Sequence, residues 1–136
     1  MGQPFKILIA DRNRHVREFL RRELTAECYR VEVARDGREL LSKLAGPEAP
    51  DLLILDLEIP YLDEMAVWAR LREQEPAIPV LIHSFVADDR THLTETAAVT
   101  FLEKKGDPEL LKAAVVDAIA QREARRLRPA PAGGGK

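Results

Sequence analysis

The sequence has too few cysteines and histidines to build a disulfide framework or a zinc site. Cys28 is the single cysteine among 136 residues, so the chain cannot form an internal disulfide or a cysteine-rich metal site. The three histidines, His15, His83 and His92, are scattered along the chain, which argues against a structural zinc. We expect Cys28 to be buried and unreactive.

The sequence also lacks long apolar runs and a strong charge of either sign. Its hydrophobic stretches fall well short of the ~18 residues that a membrane span needs, and its start, MGQPFK, has no apolar signal-peptide core. The 21 basic and 23 acidic residues give a formal net charge of −2. The arginine-rich stretches near both ends are therefore interpreted as solvated helix faces. We expect a cytoplasmic domain that binds neither membranes nor nucleic acid directly.

What the chain does contain is a regular alternation of short apolar runs and longer amphipathic stretches. The apolar runs predict five strands: Lys6–Ala10, Arg30–Ala34, Leu52–Leu55, Val80–Ile82 and Thr100–Leu102. Apolar residues at helical spacing after each of them predict five helices. With 46% hydrophobic residues, a chain of this length suits one compact domain.

Several residues mark where the predicted helices begin. Asn13 is a candidate N-cap, Asp36 and Glu39 have the spacing of a capping box, and Asp107-Pro108 combines a cap with an N1 proline. A third helix is expected from about Asp63. Its inward-facing side chains are expected to be Met65, Trp68 and Leu71. A weakly amphipathic fourth helix is expected to start around Asp88 and Asp89.

This alternation predicts an α/β fold, a doubly wound (βα)5 domain whose five-stranded parallel sheet carries helices on both faces. Ligands of such folds bind outside the carboxyl ends of the strands, where the winding reverses. Four polar residues stand at the ends of four different strands: Asp11, Asp56, Ser84 and Lys104. In the flavodoxin-like strand order 2-1-3-4-5, strands 1 and 3 are neighbours. We therefore expect these four side chains to converge in a shallow pocket.

As a set, these residue types suit phosphoryl chemistry. A carboxylate can act as a nucleophile toward phosphorus and form an aspartyl phosphate. The transferred group carries spread negative charge, so its transfer needs a divalent cation and a fixed positive charge. Paired carboxylates hold magnesium through oxygen, and a lysine and a serine suit phosphoryl oxygens. The set predicts a phosphoacceptor site, although no one member would suffice.

The chain resembles the receiver domain of two-component response regulators, the CheY-like family. The segment DLLILDLEIPYLDEM is similar to the family's phosphoacceptor strand and the loop after it, PVLIHSF to strand 4, and FLEKK to strand 5. The resemblance places Asp56 on the phosphorylated aspartate and Asp11 on the first of the acidic pair. It places Ser84 on the Ser/Thr switch position, Lys104 on the lysine, and Phe101 on the aromatic switch position.

The resemblance implies a signalling role for residues 4–127, with residues 128–136 as a flexible Pro/Ala/Gly tail or a truncated linker. Asp56 would accept a phosphoryl group from a sensor histidine kinase or a phosphotransfer protein. Ser84 and Phe101 would then shift and change the affinity for a downstream protein target. The domain would act through protein–protein contact, with a homodimer as one form, and would not be an enzyme.

One departure from the family pattern concerns the acidic pair, because Arg12 stands where the second acid is usual. The formal charges of Asp11, Arg12 and Asp56 sum to −1, where three acids would give −3, and Lys104 brings the sum to zero. Magnesium binding is expected to be weakened unless Glu58 turns in, so the predicted metal ligands are Asp11, Asp56 and Glu58. Arg12 either pairs with Asp56 or points into solvent.

Two other functions remain open at this point. The chain could be a pseudo-receiver, an interaction module that works without phosphorylation because Arg12 replaces a metal-binding acid. It could also be a small phosphohydrolase with Asp56 as nucleophile, for which Glu58 would be a poor general acid. We expect His83 to face away from Ser84 and to be packed or partly exposed rather than to carry phosphate.

Overall fold

All five strands lie parallel in one sheet, in the order β2-β1-β3-β4-β5. The computed structural model describes residues 4–45, 47–85 and 98–128. In chain order the elements are β1 Lys6–Ala10, α1 Arg14–Ala26, β2 Arg30–Ala34, α2 Gly37–Leu44, β3 Leu52–Leu55, α3 Glu64–Arg72, β4 Val80–Ser84, β5 Val99–Glu103 and α4 Pro108–Leu127. The predicted α/β fold and strand order are confirmed. The helix expected around Asp88 and Asp89 lies outside the described residues.

The central strands of the sheet have continuous apolar sequences because helices cover them on both faces. β1 and β3 are buried on both faces, as parallel strands covered by helices must be. Alternate side chains pack into two separate clusters. One cluster joins Leu8 and Leu53 to α2 and α3, and the other joins Ile7 and Ile54 to α1 and α4. The sheet is thus held rigidly between two helical layers.

The register of β1 on β3 places the first two acidic residues next to each other. Ala10 pairs with Leu55, and the backbone N–H of Asp56 donates to the Ala10 carbonyl over 2.8 Å. Asp11 and Asp56 therefore leave the same edge of the sheet on neighbouring strands.

The predicted helix starts are found in the structure, with one difference. Asn13 Oδ1 accepts hydrogen bonds from two backbone amides of α1, and Asp107 caps α4 ahead of Pro108. Asp36 Oδ1 accepts from the amides of Arg38 and Glu39. The Glu39 carboxylate, however, accepts from the Arg35 amide, one residue before the cap, so the capping box is only half formed.

Three expectations about burial are wrong. Met65 is 82% exposed because the buried face of α3 is formed by Val67, Trp68 and Leu71 and does not include it. Cys28 is exposed because it follows the end of α1 with a positive φ of 72°, where the chain turns at the surface.

The third concerns Arg122, which lies in the arginine-rich stretch near the end of the chain, where the charge pattern predicts a solvated helix face. It is buried, with its guanidinium donating to the Pro76 carbonyl over 3.1 and 3.2 Å and pairing with Asp51 at 3.4 Å. Burial, the largest cause, lowers the pKa of Arg122. The residue fastens α4 to the opposite end of the sheet from the acidic pair, because Asp51 Oδ2 also accepts from the amide of Lys6, the first residue of β1.

None of the described helices has the combination of length and apolar character that a bilayer crossing requires.

The start of α2 touches the loop that follows β3. The Gly37 amide donates to the Pro60 carbonyl over 2.8 Å, and a side chain on Gly37 would overlap the backbone of Tyr61 and Leu62. We expect Gly37→Ala to lower the free energy of unfolding by about 1–3 kcal/mol, because the overlap outweighs the gain of ~1 kcal/mol in helix propensity. Urea denaturation followed by circular dichroism measures the difference.

Gly106→Ala is the matched control for this substitution. A side chain there would meet only the Glu103 carbonyl, at 3.3 Å, so its effect should be small. Equal unfolding free energies for Gly37→Ala and the unsubstituted protein would contradict the expectation.

Candidate functional site

Three of the predicted side chains meet in a buried ion cluster at the carboxyl edge of the sheet. Lys104 Nζ lies 2.8 Å from Asp11 Oδ2 and 3.4 Å from Asp56 Oδ2. All three side chains are only 2–3% exposed. Lys104 follows β5, so its aliphatic stem crosses the end of β4 to reach two acids on β1 and β3. The expected convergence of these residues is therefore found.

Backbone amides support both carboxylates from the other side. Asp11 Oδ1 accepts from the Asn13 amide over 2.8 Å. Asp56 Oδ1 accepts from the Glu58 amide over 3.0 Å, and its Oδ2 from the Arg12 amide over 3.3 Å. Buried charges require pairing and hydrogen bonds of this kind, because their desolvation is costly. The loops after β1 and β3 are thus shaped around the acids.

Arg12 turns toward the acids and does not point away into solvent. Its Nε lies 3.4 Å from Asp56 Oδ2, and its Nη1 donates to Glu58 Oε1 over 2.7 Å. The Glu58 hydrogen bond, followed by the Asp56 charge, raises the pKa of Arg12. The ion pair between Arg12 and Asp56 is therefore present. Glu58 does turn in, but toward the guanidinium.

Ser84 closes β4 at the same edge, and its carbonyl accepts from the Lys104 amide over 2.7 Å. The next residue, Phe85, is half exposed, with its ring centroid 5.2 Å from Lys104 Nζ. Phe101 on the neighbouring strand is 38% exposed. The structure thus places the two predicted switch residues on adjacent strands, with Ser84 opposite Glu103 and Phe101 opposite Ile82.

His83 faces away from Ser84, as expected. It is only 7% exposed and lines a cavity of about 380 Å³ between the first turns of α1 and α4. Among the described residues its Nδ1 has no hydrogen-bond partner. Burial, and secondarily the charge of Lys104, lower the pKa of His83 below its ordinary value of 6.5. A neutral, packed imidazole is the form that the fold favours.

Sequence reasoning missed one residue of the site. Arg17 donates from Nη1 to the Asp11 carbonyl over 2.7 Å, although the charge pattern predicts that the arginines of α1 face solvent. Its position four residues after Asn13, the cap of α1, places it one turn into the helix, above the loop that carries Asp11. That spacing was the available signal.

Comparison with known proteins identifies the architecture. A model of the response regulator receiver domain matches residues 7–116. The chain belongs to the response regulator receiver domain family. Receiver domains are signalling modules of two-component systems, and their acidic pocket generally binds Mg²⁺.

Curated relatives share part of this receiver domain. Response regulator MprA of Mycolicibacterium vanbaalenii is 43% identical over 79 residues, which are 58% of this chain and 34% of that protein. MprA of Mycobacterium avium is 43% identical over 77 residues, which are 57% and 33%. The aligned part is about a third of the length of these relatives.

Solved structures show the same fold. A CheY-like receiver domain protein from Methanospirillum hungatei superimposes with a TM-score of 0.76 at 20% identity, covering 89% of this chain and 98% of that one. Chemotaxis protein CheY4 of Vibrio cholerae gives 0.72 at 24% identity, covering 85% and 98%. At these identities the likeness concerns the fold alone.

The receiver site of this chain does not present the donor set that a divalent cation requires. Mg²⁺ is usually held by one or two carboxylates together with several waters, so the fit depends on whether the acids at this edge are free to bind it. No cluster of three or more His, Cys, Asp or Glu arranged for a metal is found in the part of the chain that the structure describes. Asp56 Oδ2 already faces two cations, Lys104 and Arg12, and Glu58 is engaged by Arg12. The residues at this edge therefore do not fit the ion.

Removal of the central cation should be costly. Lys104→Met leaves Asp11 and Asp56 buried without their shared partner, so we expect the free energy of unfolding to fall by about 3–5 kcal/mol. Lys105→Met removes the exposed lysine that follows Lys104, and it should change the free energy of unfolding by less than ~0.5 kcal/mol. Urea denaturation of the variants measures both effects, and similar losses in the two variants would refute the assignment.

The lowered pKa of His83 predicts a pH dependence of stability. Below its ordinary pKa of 6.5 the unfolded chain takes up a proton that the folded protein accepts only at lower pH. The free energy of unfolding therefore falls as the pH drops through 6.5 toward the lower folded pKa, by at most ~1.4 kcal/mol per pH unit for one proton. In urea titrations at a series of pH values below 6.5, the free energy of unfolding should fall less for His83→Gln than for the unsubstituted protein. Identical losses would show that His83 does not contribute.

Proposed function

We propose that this receiver domain accepts a phosphoryl group on Asp56 from a sensor histidine kinase or a phosphotransfer protein. The observation that carries the proposal is the setting of the Asp56 carboxylate, which lies at the carboxyl edge of the sheet between Lys104 Nζ and Arg12 Nε, each 3.4 Å from the same oxygen. Positive charge fixed beside a carboxylate nucleophile is what phosphoryl transfer needs.

The surrounding side chains have complementary roles in this proposal. Lys104 neutralises the phosphoryl oxygens after transfer, as a fixed point charge. Ser84, at the end of the adjacent strand, donates its hydroxyl to another of these oxygens. The new contacts favour one of two conformations of β4 and β5, which is how a local charge change biases a two-state equilibrium.

The output of this switch is a contact with a downstream protein. Phe101 lies on β5, at the edge of the sheet, and is partly exposed, so a shift of its ring changes a surface that a partner can touch. We infer that the chain signals by a change in partner affinity.

A second candidate function is favoured by the contacts of Arg12. A guanidinium that pairs with both Asp56 and Glu58 already neutralises the acceptor carboxylate. A pseudo-receiver would use this fixed ion pair to keep one conformation permanently and bind its partner without phosphorylation.

Incubation with acetyl phosphate, followed by Phos-tag electrophoresis and intact mass measurement, separates the two functions. We expect the unsubstituted protein to gain one phosphoryl group and Asp56→Asn to gain none, because the amide removes the nucleophile. Asp117→Asn, at an exposed position on α4, should be modified like the unsubstituted protein. Absence of modification in the unsubstituted protein under prolonged incubation would favour the pseudo-receiver.

A further inference from the structure

The position of the Arg12 guanidinium has a chemical consequence for phosphoryl transfer. It bridges two carboxylates on the loop after β3, with Nε at 3.4 Å from Asp56 Oδ2 and Nη1 at 2.7 Å from Glu58 Oε1. Its charge lies on the solvent side of Asp56, since the Arg12 side chain is 44% exposed, whereas Lys104 approaches the same oxygen from the interior. Asp56 is thus held between a buried and an exposed cation.

We propose that Arg12 takes the place of the divalent cation, so that Asp56 is phosphorylated without metal, and that the phosphoryl group displaces Glu58 from Arg12. This inference rests on the proposed function, because it requires Asp56 to be the phosphoacceptor.

The transfer step itself needs no metal to balance. With a phosphohistidine donor, a carboxylate oxygen of Asp56 forms a P–O bond while the P–N bond breaks. The electron pair stays on the imidazole nitrogen, which takes up a proton. With acetyl phosphate the bond that breaks is the P–O bond to the acetyl group, and acetate leaves. The required contribution is positive charge near the phosphoryl oxygens, and a guanidinium supplies it in a planar fork of donors that suits phosphate.

Glu58 is well placed to leave when the phosphoryl group arrives. Its side chain is 62% exposed, so the carboxylate can turn into water with little desolvation cost. Exposed ion pairs are worth only about 0–1 kcal/mol, whereas a phosphoryl group on Asp56 offers Arg12 a doubly charged partner at shorter range. Before transfer, Glu58 therefore holds the guanidinium in position, and after transfer it is repelled by the new negative charge.

The same geometry explains why a divalent cation would not bind between these carboxylates. A metal bound between Asp11, Asp56 and Glu58 would have to displace Arg12 from two carboxylates and approach Lys104 Nζ, which lies 2.8 Å from Asp11 Oδ2. The Asp11 and Asp56 carboxylates alone carry a charge of −2, and Lys104 and Arg12 already balance it.

The test measures phosphorylation of Asp56 by acetyl phosphate in EDTA and in MgCl₂, with intact mass as the readout. We expect the unsubstituted protein to react at the same rate in both media. Arg12→Asp should react roughly a hundredfold more slowly in EDTA, the usual loss when one charge-stabilising donor is removed, and should regain its rate with Mg²⁺. Arg12→Gln should be slow in both media, because it supplies neither the guanidinium nor a ligand carboxylate.

Controls separate the role of this residue from a general charge effect. Arg14→Asp makes the same charge change at an exposed position at the start of α1 and should behave like the unsubstituted protein. Calorimetric titration with MgCl₂ gives a second readout, in which Arg12→Asp should bind the ion and the unsubstituted protein should not. Glu58→Gln should still react in EDTA, but more slowly than the unsubstituted protein, because Arg12 keeps its charge and loses the carboxylate that holds it in position before transfer.

Each result decides between the two proposals. If the unsubstituted protein is phosphorylated only with Mg²⁺, metal-free transfer is refuted and the proposed function stands. If it is phosphorylated in neither medium, while Arg12→Asp is phosphorylated with Mg²⁺, both are refuted in favour of the pseudo-receiver.

Discussion

The buried ion cluster of Lys104 with Asp11 and Asp56 is the constraint around which the carboxyl edge of the sheet is organised. One ammonium group within 3.4 Å of two carboxylates ties together the ends of β1, β3 and β5. Such a cluster adds little stability beyond what a well-packed apolar substitute would give, because desolvation offsets the attraction. Its value is positional, since the three charges can satisfy one another only in this strand register.

The fold was predictable because its signals are local and mutually consistent. The apolar runs of β1 and β3, the caps Asn13 and Asp107, and the alternation of strands and helices all indicate one topology. The meeting of Asp11, Asp56 and Lys104 followed from that topology alone, because carboxyl ends of parallel strands share an edge.

What the sequence could not decide was the direction of long side chains. Arg12 has an ion-paired and a solvated alternative, and Arg122 is predicted to face solvent but is buried. The conformation of an arginine depends on acceptors from other elements, which here are the loop after β3 and the carbonyl of Pro76. Periodicity carries no information about such distant acceptors.

The close approach of Gly37 to Tyr61 gives the domain one fixed flank. Tyr61 has a positive φ of 58°, and its ring centroid lies 3.9 Å from the guanidinium carbon of Arg38. The carbonyl of the preceding residue, Pro60, accepts a hydrogen bond from the Gly37 amide. The loop after Asp56 is therefore clamped to α2 and has little room to rearrange. Under the proposed function, a rearrangement at Asp56 would be taken up on the side of β4 and β5 and not on the side of α2, which would make the response of the domain asymmetric.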